Sequence, residues 1–190
     1  MPQILIEQAM QGDMESFAAI VQHCQTGIYN LALRILNDRE EAQDATQEAF
    51  IKLYSALPTF RGEAKFTSWF YRIATNVCLD RYHRNKKQRE NILPEYHDQL
   101  ASTASYPNST DPAEIYQNKE WQLTLQRAIA ELPLKYRTVL VLRHLEGFSY
   151  QEIADIMQIP VQTVGTQIYR AKALLQKKLK QLQERGHPHG

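Results

Sequence analysis

Apolar side chains recur every three or four residues along the stretch "DMESFAAIVQHCQTGIYNLALRIL". Phe17, Ile20, Val21, Ile28, Leu31, Ile35 and Leu36 fall at the spacing of one helical stripe. Asp38 is placed to cap a following helix, "REEAQDATQEAFIKLYSAL", and Pro58 ends it. After a short loop, "TFRGEAKF", the segment "TSWFYRIATNVCLDRYHRNKKQRE" predicts a helix that opens aromatic and closes basic. From about Asn91 the period is lost. "ILPEYHDQLASTASYPNSTDPAE" is rich in Pro, Ser, Thr, Asn and Asp, so it reads as a linker. Being acidic, it is either a simple tether or a strap across a basic groove. Helical spacing returns at Ile115. "WQLTLQRAIAEL" is one helix, stopped at Pro133, and "LKYRTVLVLRHLEG" is a second, closed by Gly147. Ser149 and Glu152 form a capping box that starts a third helix, "IP" makes a turn, and "VQTVGTQIYRAKALLQKKLKQLQER" is the fourth.

The pattern therefore predicts an all-α chain: two small helical domains joined by a flexible linker. The expected bounds are 1–92 and 115–185, with the linker at 93–114 and a tail at 186–190. Composition agrees, since 43% of the residues are hydrophobic and only 7 of 190 are Gly. No apolar run nears the roughly 20 residues a bilayer span needs, and the N-terminus lacks a signal-peptide pattern. Cys24 and Cys78 lie far apart with no CxxC or Cys/His spacing, which predicts free thiols in a reducing cytoplasm and no metal site. His187 and His189 are expected in a frayed end rather than on a metal.

A net charge of +1 conceals strong patterning. Residues 1–60 hold 3 Lys+Arg against 8 Asp+Glu, and residues 61–93 hold 8 against 3. Residues 94–120 hold 1 against 5, and residues 121–190 hold 10 against 5. Two basic surfaces separated by acidic ones suit a phosphate-backbone partner, although ordinary clumping on solvated helices gives the same totals.

Candidate chemistry lies in the two basic blocks. "FSYQEIADIMQIPVQTVGTQIYRAKALLQKKL" has the form of a helix-turn-helix. Ile153, Ala154 and Met157 face Ile159, Val164 and Ile168, and Pro160 sets the turn. The outer face of the second helix offers Gln162, Thr163, Thr166, Gln167, Tyr169 and Arg170 to a major groove. Arg170, Lys172, Lys177, Lys178 and Lys180 suit phosphates, and Gln167 is the best base-edge reader. A helical hairpin with no nucleic-acid role is the competing reading. Gly165 offers a base nothing, costs a helix roughly 1 kcal/mol against Ala, and would serve only by letting backbone approach the DNA. In the other block, Phe60, Phe66, Trp69, Phe70, Tyr71 and Tyr82 interleave with Arg61, Lys65, Arg72, Arg81 and Arg84. Stacking platforms beside cations are the chemistry of single-stranded DNA binding, and about half of these aromatics are expected in the core instead.

Three stretches together resemble a family. "DREEAQDATQEAFIKLY", "FRGEAKFTSWFYRIATNVCLDRYHR" and "LPLKYRTVLVLRHLEGFSYQEIADIMQIPVQTVGTQIYRAKALL" follow in the order seen in bacterial RNA polymerase sigma factors of the extracytoplasmic-function group. The resemblance spans about residues 3–183. It implies that Asp44, Gln47 and Glu48 dock on the clamp coiled coil of core RNA polymerase. It implies that the loop Phe60–Phe66 captures a flipped minus-ten base of the melted strand, and that Asn76 reads the element's upstream edge. Thr166, Gln167, Tyr169 and Arg170 match minus-thirty-five readers of duplex promoter DNA. The family often has basic residues where this chain has Gly165 and Gln167. An inhibitory anti-sigma factor is a further implied partner.

A free-standing helix-turn-helix regulator is the alternative, and the aromatic–cationic segment "FTSWFYRIATN" argues against it. An enzyme is not expected, since the chain has no HExxH, metal-ligand cluster, phosphate-cradling glycine loop or nucleophile–base pair, and no cofactor is implied.

Overall fold

The computed structural model describes residues 2–91 and 112–186, and those residues form eight α-helices and one 3-10 turn with no strand. The linker expected at 93–114 falls outside the described residues except for its last three positions, and the His187/His189 tail lies outside them as well.

Four helices make the first unit: α1 (Gln3–Met10), α2 (Met14–Leu36), α3 (Arg39–Ala56) and α4 (Phe66–Asn91), with the 3-10 turn Leu57–Thr59 before α4. The second unit is α5 (Pro112–Ala130), α6 (Leu134–His144), α7 (Tyr150–Met157) and α8 (Val161–Gly186). The start of each helix follows from a polar cap. Asp13 accepts from Ser16 N at 2.9 Å to begin α2, and Asp38 accepts from Glu41 N at 3.0 Å to begin α3. Glu40 and Glu41 then sit in the first turn of α3, where the helix dipole favours them. α2 stops at Asn37, which adopts the left-handed conformation (φ 55°) that Asn tolerates. The capping box expected at α7 is present in both directions, Ser149 to Glu152 and back.

Three boundaries differ from the sequence expectation. α1 had no clear periodic signal because eight residues are too few to show one; only Ile6 and Ala9 of it are buried. α5 starts at Pro112, three residues before Ile115, with proline at the first helical position where its missing N–H costs nothing. α6 ends at His144, ahead of Gly147; the Gly147 φ of +79° carries the turn that lets Phe148 N reach Leu142 O at 3.0 Å.

In the first unit α2, α3 and α4 pack on one another, and α1 lies on α2. Ala42, Ala45 and Ala49 line the buried side of α3, so its backbone approaches its neighbours closely. Large side chains fill the rest: Ile20, Ile28, Leu31, Ile35, Leu53 and Phe70 are fully buried. In the second unit α8 packs on α5, α6 and α7, with Val139, Leu142, Ile153, Ile156, Val164, Ile168 and Ala171 inside.

Both thiols are free. Cys78 lies on the core face of α4, and burial pushes its thiol up to about 12; burial raises Cys24 as well. A raised thiol pKa keeps the group protonated and unreactive. At pH 8 we therefore expect iodoacetamide to leave Cys78 unmodified in the native protein and to modify it fully in urea, read by intact-mass spectrometry.

Candidate functional site

α3 presents a face to solvent that the core does not use. Asp44, Gln47, Glu48 and Ile51 share it by helical spacing. Asp44 and Gln47 are exposed, and Ile51 is 67% exposed, an apolar side chain beside a carboxylate. Glu48 is differently placed. Its Oε2 accepts from Arg81 Nε at 3.0 Å, and Lys52 Nζ sits 3.1 Å from its Oε1. Burial opposes ionisation of Glu48, but the bonds from Arg81 and Lys52 outweigh it and hold the carboxyl below its usual range. Arg81 also donates to Glu41 at 2.9 Å and approaches Asp44 at 3.4 Å.

Arg81, grouped by sequence with the DNA-facing cations, is engaged by carboxylates of α3. Three carboxylate contacts fold its guanidinium onto α3, where it pins α4, and Arg84 Nη2 lies 3.6 Å from the same Glu48. Arg61, Arg72 and Asn76 are exposed. Phe66 and Phe70 are core residues. Phe60 and Trp69 are half-buried and form one aromatic cluster with Phe66: the Phe60 ring lies 4.9 Å from Trp69 and 5.6 Å from Phe66. The buried Phe66 supports the loop from below and presents no free stacking face. Lys65 is 80% exposed and reaches the second unit, where its ammonium pairs with Glu152 at 3.0 Å. The Ser149 backbone N–H, followed by Lys65, holds Glu152 down to about 2.

On α8 the structure sorts the proposed readers. Gln162, Thr166, Tyr169, Arg170 and Lys172 are exposed, Tyr169 at 76%. Thr163 and Gln167 are half-buried, and Gln167 Oε1 is buried without a hydrogen-bond partner, so its amide oxygen is turned away from the outer face. Lys178 is tied to Glu131, just after α5, at 2.6 Å. Gly165 does not face the groove side either. A Cβ there would meet the Tyr150 ring of α7 at 3.7 Å, an ordinary contact. Gly165→Ala should therefore stabilise the protein by roughly 1 kcal/mol and leave duplex affinity unchanged, checked by urea denaturation alongside a promoter-binding titration.

The two units meet through a polar clasp that the sequence pattern did not single out. Glu146, just after α6, accepts from Arg34 Nη1 of α2 and from Tyr71 OH of α4, each at 2.8 Å. Tyr71 also packs edge-on against Phe148, ring centroids 4.8 Å apart. Burial, then the Glu146 carboxylate, raises the Tyr71 hydroxyl well above its usual value. Nearby, buried Arg137 donates to Ile35 O at 2.6 Å and to Leu132 O and Ala130 O. Its guanidinium lies 5.8 Å from the Tyr82 ring centroid. The available signal was a charge beside an apolar run, since Arg137 sits two residues before Val139–Leu142, but one sequence does not identify the partner. Tyr71 and Tyr82, grouped by sequence with the stacking aromatics, serve this contact instead.

The Sigma-70 region 2 family profile matches residues 20–88, and the Sigma-70, region 4 profile matches residues 122–175. The ECF RNA polymerase sigma factor SigW of Bacillus subtilis is 37% identical over 186 residues, covering 93% of this chain and 96% of that protein. The RNA polymerase sigma-H factor of Pseudomonas aeruginosa is 37% identical over 187 residues, covering 95% and 94%. Among solved structures, the sigma factor RpoE in complex with the anti-sigma factor NepR, from Bartonella quintana, superposes with a TM-score of 0.72 at 18% identity, covering 88% of this chain and 98% of that one. CnrH in complex with the cytosolic domain of CnrY gives 0.66 at 22% identity, covering 93% and 96%. These two likenesses establish the fold alone. The chain belongs to the sigma-70 family, in its extracytoplasmic-function group. It is a sigma factor: it binds core RNA polymerase and directs promoter-specific transcription initiation. Among the described residues no helix is long and apolar enough to cross a membrane.

Proposed function

We propose a division of labour among the surfaces just described. The exposed side of α3, with Asp44 and Gln47, docks on core polymerase. Arg61, Lys65, Trp69, Arg72 and Asn76 hold the melted minus-ten strand, with Phe60 and Phe66 shaping the capturing loop. Gln162, Thr166, Tyr169, Arg170 and Lys172 on α8 read the minus-thirty-five duplex. Residues 1–92 and 115–185 act as separate domains in this scheme, and the protein works in the cytoplasm as a non-catalytic subunit, on a stress-type regulon. A separate inhibitory protein spans the two units, as the solved complexes of RpoE with NepR and of CnrH with CnrY suggest by analogy.

The observation that supports this most is the placement of two exposed cationic surfaces on two different helical units. Each is a modest reader, and linkage through one polymerase raises the effective concentration of the second once the first is bound. The test is run-off transcription from the chain's own promoter. Core polymerase with the chain should yield a defined transcript, and Arg61→Ala/Arg72→Ala and Tyr169→Ala/Arg170→Ala should each reduce it tenfold or more. A chain that shifted duplex DNA alone and added no transcript to core polymerase would refute the assignment.

A further inference from the structure

α1 has no part in the surfaces above, yet it walls a cleft. Its outer side, the loop after the 3-10 turn and the start of α4 enclose about 510 Å³, of the size that admits a small planar ligand. Gln3 and Glu7 line it from α1, Phe60, Arg61 and Lys65 from the loop, and Phe66 from α4. Arg61 and Lys65 supply the cations a sugar–phosphate backbone needs. Glu7 is the anomaly. A carboxylate repels phosphate, and it is not needed for packing: Ile6 and Ala9 are the residues that bury α1, while Glu7 is exposed. One turn earlier, the Gln3 amide donates to Glu7 Oε1 at 2.9 Å, which orients the carboxylate and leaves Oε2 as a further acceptor.

An ionised carboxylate only accepts hydrogen bonds. On the edge that faces the major groove in a duplex, cytosine donates through its N4 amine and adenine through its N6 amine, whereas thymine, uracil and guanine present a carbonyl there. We propose that Glu7, oriented by Gln3, selects the base entering this cleft, admitting cytosine or adenine and rejecting thymine. The inference rests on the reading that the loop 60–66 captures an unstacked base. It adds α1 as a specificity element and names the class of base. Unstacking costs a few kcal/mol for any base, so the amine–carboxylate bond decides which bases recover it.

The experiment uses holoenzyme reconstituted with core polymerase and fluorescent single strands spanning the minus-ten element. Cytosine is replaced by uracil, or adenine by hypoxanthine, at one position at a time, which exchanges the amine for a carbonyl on the same ring. At one position wild type should lose about tenfold in affinity, the scale of a good base contact. Glu7→Gln should bring that ratio near 1, because an amide both donates and accepts, and Gln3→Ala should lower it partway. If no position discriminates, or if Glu7→Gln keeps the full ratio, the inference is overturned. An abasic scan of the same strand tests capture separately. Should no abasic position weaken binding, base capture itself fails; should one do so while Glu7→Gln keeps the ratio, only the role of Glu7 falls.

Discussion

Glu146→Ala will part the two helical units while leaving each folded. The Glu146 carboxylate is 9% exposed and Arg34 is 16% exposed, so the pair is largely shielded from water. Removing the acceptor takes this carboxylate away from both the Arg34 guanidinium and the Tyr71 hydroxyl at the seam between α2, α4 and the α6–α7 turn. Breaking one side of a buried pair costs about 3–5 kcal/mol; the lower end applies here, because Arg34 keeps a path to water. At 1.4 kcal/mol per tenfold, about 3 kcal/mol shifts the closed-to-open ratio more than a hundredfold. Neither unit's own core includes Glu146, so far-UV circular dichroism should not change. The radius of gyration from small-angle scattering should rise from the roughly 16 Å of a compact chain of this length. An unchanged radius would mean that the seam is held by its apolar contacts alone. Gly27 offers a gentler probe of the same clasp: a Cβ there would come within 2.9 Å of Tyr71 Oη, so Gly27→Ala should displace the hydroxyl from Glu146 and give a smaller rise.

The separation bears on function. A minus-ten and a minus-thirty-five element lie roughly 25 base pairs apart, about 85 Å at 3.4 Å per pair. A chain of roughly 16 Å radius does not span that distance. If the two units read these two elements as proposed above, the arrangement held by Glu146 and by the Lys65–Glu152 bridge is not the one that engages both, and it also ties up Lys65, a candidate for the melted strand.

What the sequence made legible follows from locality. Helix starts depend on a side chain and an amide three residues away, so Asp38 and Ser149 were readable, and the apolar stripes of α2 and α8 located both cores. The helix-turn-helix contact of Ile153 and Ala154 with Val164 and Ile168 came through for the same reason. Non-local pairing did not. Arg81 has the same composition signal as Arg72, yet it turns onto α3 because three acidic residues one helix away happen to face it, while Arg72 stays exposed. Tyr71 stands beside Trp69 and Phe70 in sequence, but the helix sends these three neighbours to a domain seam, a loop cluster and a core. Gly165 looked like a defect in a recognition helix; its position against Tyr150 is fixed by helix phase, which a residue-by-residue list of candidate readers does not weigh.

Asp44→Arg/Gln47→Arg will abolish co-migration with core RNA polymerase on gel filtration. The choice of residues follows from the structure. Glu48 holds Arg81 and Lys52, so reversing its charge would add a third cation beside these two and confuse docking with unfolding. Asp44 and Gln47 lie exposed on the same face, and only a 3.4 Å approach links Asp44 to Arg81, which keeps its closer bonds to Glu41 and Glu48. The double variant should therefore melt within a few degrees of wild type. Placing two positive charges where a basic partner surface is met costs several kcal/mol of like-charge contact, a loss of more than a hundredfold at 1.4 kcal/mol per tenfold. Ile51 separates charge from shape on this face. Its exposed side chain is the kind of apolar anchor that sits at the centre of an interface inside a charged rim. Ile51→Ala should weaken co-migration at any salt concentration, whereas single Asp44→Ala should weaken it mainly at low salt, where exposed charges are poorly screened. Full retention of polymerase by the double variant would move the docking surface off α3, and an Ile51→Ala effect that vanished at high salt would show that the face works by charge alone.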